Sequence, residues 1–329
     1  MNTFARLLVA SVALIFAVAL QAQDYNPLAI VKDPPAPRDA TVQDAARKRE
    51  IPLRIYLPDD TKPAPVVLFS HGLGGSREGS AYLGRQWAGR GYVAVFLQHH
   101  GSDDSLWKGK AGSELVASMR AGLSVENFFL RTADVKAVLD QLEKWNGESG
   151  HFLNHRLDLA HVAMSGHSFG AVTTQAVSGQ VFQSGISLTD PRIKAAIIMS
   201  PSKPNRGTSA EAFGAVSIPW LLMTGTDDIA KIGGTTLGAT DVSARLEVYP
   251  ALPAGDKYEL VLNGGTHLAF TDRTDGKQIV RNPNHHRVIL ALSTAFLDAY
   301  LRNDAAARAW LQSDAPRKIM EEKDRWQRK

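Results

Sequence analysis

Three residues of this chain combine the right side chains with the right surroundings to do chemistry: Ser168, Asp228 and His267. Ser168 stands in Gly166–His167–Ser168–Phe169–Gly170, after the apolar run Leu159–Met164 and before Ala171–Val177. The first stretch reads as a buried strand and the second as the start of a helix. A serine at such a turn occupies a sharp, strained bend that lifts its hydroxyl clear of the sheet. The residues two before and two after it must be small, or strand and helix could not approach each other. The helix that follows turns free N–H groups and the positive end of its dipole toward a developing anion.

Acyl transfer through a serine also needs an imidazole to take the proton, a carboxylate to orient that imidazole, and N–H donors for the oxyanion. Two acids compete behind the apolar run Trp220–Met223, namely Asp227 and Asp228 in Thr224–Gly225–Thr226–Asp227–Asp228. The fourth position of a Gly-x-x-Asp turn points back toward the histidine, which selects Asp228 and leaves Asp227 as the alternative. Asp190, Asp241 and Asp256 have no strand end behind them and read as caps or surface groups. Of ten histidines, His267 alone follows a strand, Tyr258–Leu262, through a glycine-rich turn, Asn263–Gly264–Gly265–Thr266. His285 and His286 sit at a helix start and read as solvated or capping. The adjacent spacing of His99–His100 beside Asp103–Asp104 does not put both rings on one face, so no metal site is assigned. One oxyanion donor is expected from the amide of Phe169. The other is expected from Leu73, in His71–Gly72–Leu73–Gly74–Gly75, with His71 holding that loop by hydrogen bonds.

These residues need a frame. Apolar runs at Pro65–Ser70, Tyr92–Leu97, Leu159–Met164, Ala195–Met199, Trp220–Met223 and Tyr258–Leu262 read as strands. Ala40–Arg49 and Ile51–Leu57 look like a strand pair ahead of them. Glu78–Arg90, Val125–Trp145 and His285–Leu301 read as helices, the second with apolar residues at 128, 129, 135, 138, 139 and 142. Alternating strands and helices predict a mostly parallel sheet covered on both faces. Function in such sheets collects past the C-terminal ends of the strands, where four strand ends here carry candidate site residues. Gln98–Leu123 is expected to be long and irregular and to form the pocket wall. Trp107 within it is either a substrate contact or a packing residue.

The motifs Ser70–Ser76, Gly166–Gly170, Met223–Asp228 and Gly264–His267, in this order, resemble those of the α/β-hydrolases. The resemblance points to the dienelactone-hydrolase-like enzymes related to platelet-activating factor acetylhydrolase, and to the bacterial cutinase-type polyester hydrolases. It covers about residues 40–300. It implies the α/β-hydrolase fold and hydrolysis of a small or lipid-like carboxylic ester, with short acyl groups, through an acyl-enzyme and without a cofactor. Ser168 would be the nucleophile, His267 the base and Asp228 its orienter. True dienelactone hydrolases use a cysteine, and this chain has none, so that activity is not implied. The elbow continues Phe169–Gly170–Ala171 where many lipases and polyester hydrolases carry Met-Gly-Gly. A peptidase or amidase on the same fold, or a binding protein that has lost the chemistry, are the rival readings.

The ends carry other signals. Residues 1–22 read as a signal peptide, with Arg6 in a short leading segment, an apolar Leu7–Leu20 and small residues before a cut after Ala22. Export to the periplasm or beyond follows. Residues 23–39, with Pro34, Pro35 and Pro37, read as an extended lead-in, and 40–302 as the catalytic domain. Without cysteine no disulfide staples the chain. The net charge is +4, and six basic against three acidic residues crowd into Ala315–Lys329. The body is thus near neutral, which argues against a nucleic-acid partner. Residues 303–329 are expected to form a charged helical tail with i, i+4 ion pairs such as Lys318–Glu322, with membrane-surface contact as a minor role.

Overall fold

The computed structural model describes residues 25–232, 235–236, 241–272 and 282–329. The expected signal peptide lies outside the described residues. Nine strands form one sheet: β1 (Arg38–Asp44), β2 (Arg49–Tyr56), β3 (Ala64–Ser70), β4 (Val93–Leu97), β5 (Leu157–His167), β6 (Ile193–Met199), β7 (Trp220–Asp227), β8 (Lys257–Thr266) and β9 (Arg325–Arg328). Their spatial order is β1-β2-β4-β3-β5-β6-β7-β8-β9. The stretch from β4 to β8 is parallel throughout, and antiparallel pairs close both edges.

The near-continuous apolar runs follow from burial on both faces. Successive residues of β3 alternate between two cores. Val67 and Phe69 pack with Trp87 and Phe96 on one side, while Val66 and Leu68 pack with Val135, Leu139 and Leu142 on the other. Helices α1 (Ala81–Gly89) and α5 (Pro283–Leu301) cover the first face. Helix α3 (Val125–Gly147) covers the second, and α4 (Phe169–Val177) packs between β5 and β6. Of the lead-in, Tyr25 reaches α5, its hydroxyl donating to Asp298 at 2.6 Å.

Two expected elements differ. Residues 98–123 are not irregular throughout: a 3₁₀ turn at Asp104–Leu106 is capped by Asp103, and helix α2 spans Gly112–Gly122. Small residues dilute the apolar face of α2, yet Leu115 and Met119, one turn apart, pack with Leu73, Leu106 and Trp107. The tail, expected to be helical over 303–329, is helical only in α6 (Ala305–Gln312). A 3₁₀ turn with Pro316 in its first turn follows, and Arg325–Arg328 then pairs antiparallel with β8. The unpaired edge of β8 is a stronger partner for this segment than its own i, i+4 charges. Trp326 stacks on Tyr258 at 5.5 Å, and the Asp324 carboxylate accepts from the Asn263 amide at 2.7 Å. Among the described residues no helix is long and apolar enough to cross a membrane.

Candidate active site

Ser168 sits between β5 and α4 with φ 58° and ψ −116°, a conformation that non-glycine residues rarely adopt. The glycines around it explain how the bend is tolerated. A Cβ on Gly166 would lie 2.3 Å from the Gly170 carbonyl oxygen, and one on Gly170 would lie 1.8 Å from that of Ser70. Helix α4 thus starts in backbone contact with the end of β3, which only glycine permits.

The other two groups arrive from β7 and β8. These strands end in a second glycine contact, since a Cβ on Gly225 would stand 2.1 Å from the Gly265 carbonyl oxygen. Past it, the His267 Nε2 lies 2.8 Å from the Ser168 Oγ, and the His267 Nδ1 lies 2.6 Å from the Asp228 Oδ1. Asp228 is fully buried, whereas Asp227 is exposed and bonded to the Thr226 hydroxyl at 3.2 Å. Of the two acids the turn offered, the fold brings Asp228 to the imidazole.

Burial alone would raise the Asp228 carboxyl. The hydrogen bond to His267, the electrostatic pull of that ring and the Arg245 charge outweigh it and hold the group at about 2, so it is a carboxylate at any working pH. Its second oxygen accepts from the Thr224 hydroxyl at 2.8 Å. A carboxylate facing Nδ1 keeps the proton on that nitrogen and leaves Nε2 free to accept from Ser168. A further group, not singled out by the sequence, is Arg245, from a short helical turn at Ser243–Leu246. Its Nε donates to the Asp228 main-chain oxygen at 2.8 Å and sits 3.1 Å from Oδ1, while Nη1 donates to the carbonyls of Ser200 and Pro201. It pins the acid's turn to the end of β6. No local motif marks it.

The loop after β3 passes directly over the serine: a Cβ on Gly72 would lie 3.2 Å from the Ser168 Cβ. Among the described residues no main-chain carbonyl accepts from the amides of Leu73 or Phe169, the two expected oxyanion donors. His71 is buried, accepts from the His99 amide at 3.1 Å and bonds the Gly72 carbonyl through Nδ1 at 2.7 Å. Trp107 is half-buried, and its Nε1 donates to the Gly74 carbonyl at 2.7 Å. It braces the same loop from outside. His285 is buried and bonds the Asn263 carbonyl, and His286 stacks on Tyr82 at 3.9 Å, so neither is merely solvated. His99 and His100 turn to different carboxylates, Asp134 and Asp103. Among the described residues no group of three metal-binding side chains occurs.

A mostly parallel sheet sandwiched by helices, with a strained serine, a histidine and an aspartate linked past its strand ends, is the α/β-hydrolase fold. No protein-family model matches the chain. Over 252 residues, 72% of this chain, it is 28% identical to Cutinase 1 of Thermobifida cellulosilytica, covering 77% of that protein. It is 28% identical over the same length to the Cutinase of Thermobifida fusca (strain YX), covering 67% of it. To Cutinase est1 of Thermobifida alba it is 23% identical over 226 residues, 68% of this chain and 60% of that protein.

Proposed function

We propose that this protein is an exported serine hydrolase that cleaves carboxylic esters of short acyl chains through an acyl-enzyme. The hydrogen-bonded series Asp228–His267–Ser168, set on a strained elbow beneath a glycine-rich loop, carries the reading. The similarity to cutinases supports the ester-cleaving part of it.

Ser168 Oγ attacks the ester carbonyl carbon as its proton passes to His267 Nε2. The negative oxygen of the tetrahedral intermediate is held by the amides of Leu73 and Phe169. The intermediate collapses, the alcohol leaves with the proton from His267, and the acyl group remains on Ser168. Water then attacks the acyl-enzyme, again deprotonated by His267, and the acid is released. Asp228 keeps the imidazole in one tautomer throughout. These steps draw on protein groups and water alone. The resemblance of the motifs to those of acetylhydrolases favours short acyl groups. Export rests on residues 1–22, and the mature protein is expected to begin at Gln23, as intact mass would show.

Initial rates on p-nitrophenyl esters of two to sixteen acyl carbons, beside aminoacyl-nitroanilides and with Ser168→Ala as blank, test the reading. A steep fall beyond about four to six carbons is expected, with negligible anilide cleavage. A flat or rising ester profile contradicts the short-acyl assignment, and dominant anilide cleavage would make the protein a peptidase.

A further inference from the structure

Behind the Leu73 loop lies Arg131, on the second turn of α3 and fully buried. A buried guanidinium is tolerated only when its rigid fork of donors is met. Here the partners come from three separate segments. Nε donates to the Thr173 hydroxyl at 3.0 Å, Nη1 to the Ser102 hydroxyl at 2.8 Å, and Nη2 to the Ser70 hydroxyl at 2.9 Å and to the His71 carbonyl. The guanidinium carbon also stands 4.6 Å from the centre of the Phe169 ring, within cation–π range.

These contacts bracket both expected oxyanion donors. On one side, Leu73 lies between His71, whose carbonyl Arg131 holds, and Gly74, whose amide donates to the Ser102 carbonyl at 2.9 Å. Ser102 is itself held by Arg131. On the other side, the Thr173 hydroxyl that accepts from Arg131 donates to the Phe169 carbonyl at 3.0 Å, while the Phe169 ring faces the guanidinium. We infer that Arg131 is a positioning residue that fixes the two halves of the oxyanion hole relative to each other.

A second chain orients this arginine. Because Arg131 can only donate, the Ser70 hydroxyl accepts from it and turns its own hydrogen to His99 Nε2, 2.9 Å away. His99 therefore carries its proton on Nδ1 and donates to Asp134 Oδ2 at 2.9 Å. Asp134 is anchored in turn by Arg49 at 2.7 Å and Arg47 at 2.9 Å. Every hydrogen in the series has one direction, so the Ser70 lone pair aimed at Arg131 is fixed. Neither lysine nor a neutral side chain at position 131 reproduces this fork.

The inference rests on the ester-hydrolase reading, and the experiment separates the two. Wild type, Arg131→Lys, Arg131→Met, Ser102→Ala and Thr173→Val are compared on a p-nitrophenyl short-chain ester. Active sites are counted from the endpoint of labelling with an organophosphate, so that misfolded protein is not scored. Per active site, kcat of the Arg131 variants is expected to fall about 10²–10³-fold, as for loss of an oxyanion donor, with KM changed less than about threefold. The two milder variants, which keep the guanidinium, are expected to lose severalfold in kcat and to cover the case in which the Arg131 variants do not fold. Unchanged kcat per titrated site in the folded variants overturns the positioning role while leaving ester hydrolysis intact. A wild type inactive on every ester overturns both.

Discussion

Asp228, His267 and Ser168 are joined at 2.6 and 2.8 Å, and Asp134, His99 and Ser70 at 2.9 and 2.9 Å. Both chains run carboxylate to Nδ1 and Nε2 to hydroxyl. Ser70, however, is the last residue of the extended strand β3 and is fully buried, and its hydroxyl already accepts from a guanidinium. Ser168 is thrown out of its strand at positive φ and is partly exposed. The His99 ring is set against the role of a base as well. Burial first, and then the Arg131 charge, hold His99 down at about 4, too weak a base to take a proton from an alcohol near neutral pH. Connectivity therefore does not make a nucleophile. A free lone pair, access and nearby amides would, and on the proposal above the second chain serves as scaffolding for the loop over the first.

The two chains are expected to differ most at their serines. Ser168→Ala is expected to lower kcat/KM for a short ester by at least about 10⁴-fold, and Ser70→Ala by about tenfold, through the oxyanion loop alone. Equal losses would mean that the two chains are functionally equivalent.

The acids should divide activity from stability. Asp228→Asn is expected to cost about 10⁴-fold in kcat, because the amide favours the wrong imidazole tautomer. Asp134→Asn leaves Arg47 and Arg49 facing a neutral group and should cost about 3 kcal/mol of stability, read from urea unfolding, with a smaller loss of rate.

The buried histidines predict the pH response of the fold. Burial foremost holds His71, His99 and His167 below the usual imidazole value, so each stays neutral in the fold and, below about pH 6.5, takes up a proton on unfolding. Their contribution is complete above about pH 6.5 and is lost as pH falls toward their folded values. His99, held at about 4, adds a slope of about 1.4 kcal/mol per pH unit between about 6 and 4, and His71 and His167 act in the same direction. Asp134 and Asp228, both held at about 2, add losses only below about pH 3.8. Urea midpoints from pH 7 to 4.5 should fall, and His99→Gln should flatten the slope by about one proton.

The smallest expected effect is at Trp107. Trp107→Phe keeps a ring against Leu73 and Met119 but removes the bond to the Gly74 carbonyl. A two- to fivefold loss in kcat is expected, on the order of 0.5–1 kcal/mol, measured with the same ester.

What the sequence makes legible here depends on how local the signal is. The sheet is legible because strands buried on both faces must be apolar, as Val66–Phe69 and Val93–Leu97 are. Ser168, Asp228 and His267 are legible because each follows such a run through a glycine, Gly166, Gly225 or Gly265, where a Cβ would stand within 3 Å of a neighbour. Arg131 is not, since an arginine in an amphipathic helix reads as a solvated residue. Its signal was positional: it lies four residues before Val135, on the buried stripe continued by Val138, Leu139 and Leu142. Arg245 and the edge strand Arg325–Arg328 depend on partners far away in the chain, Asp228 and β8, and no short-range pattern encodes such a partner.

The most direct test of the account is where an organophosphate attaches. One equivalent is expected per folded molecule, mapped by peptide mass spectrometry to Ser168, absent from Ser168→Ala and present on Ser168 in Ser70→Ala. Ester hydrolysis by a protein labelled at another residue, or surviving with no label at all, would contradict it.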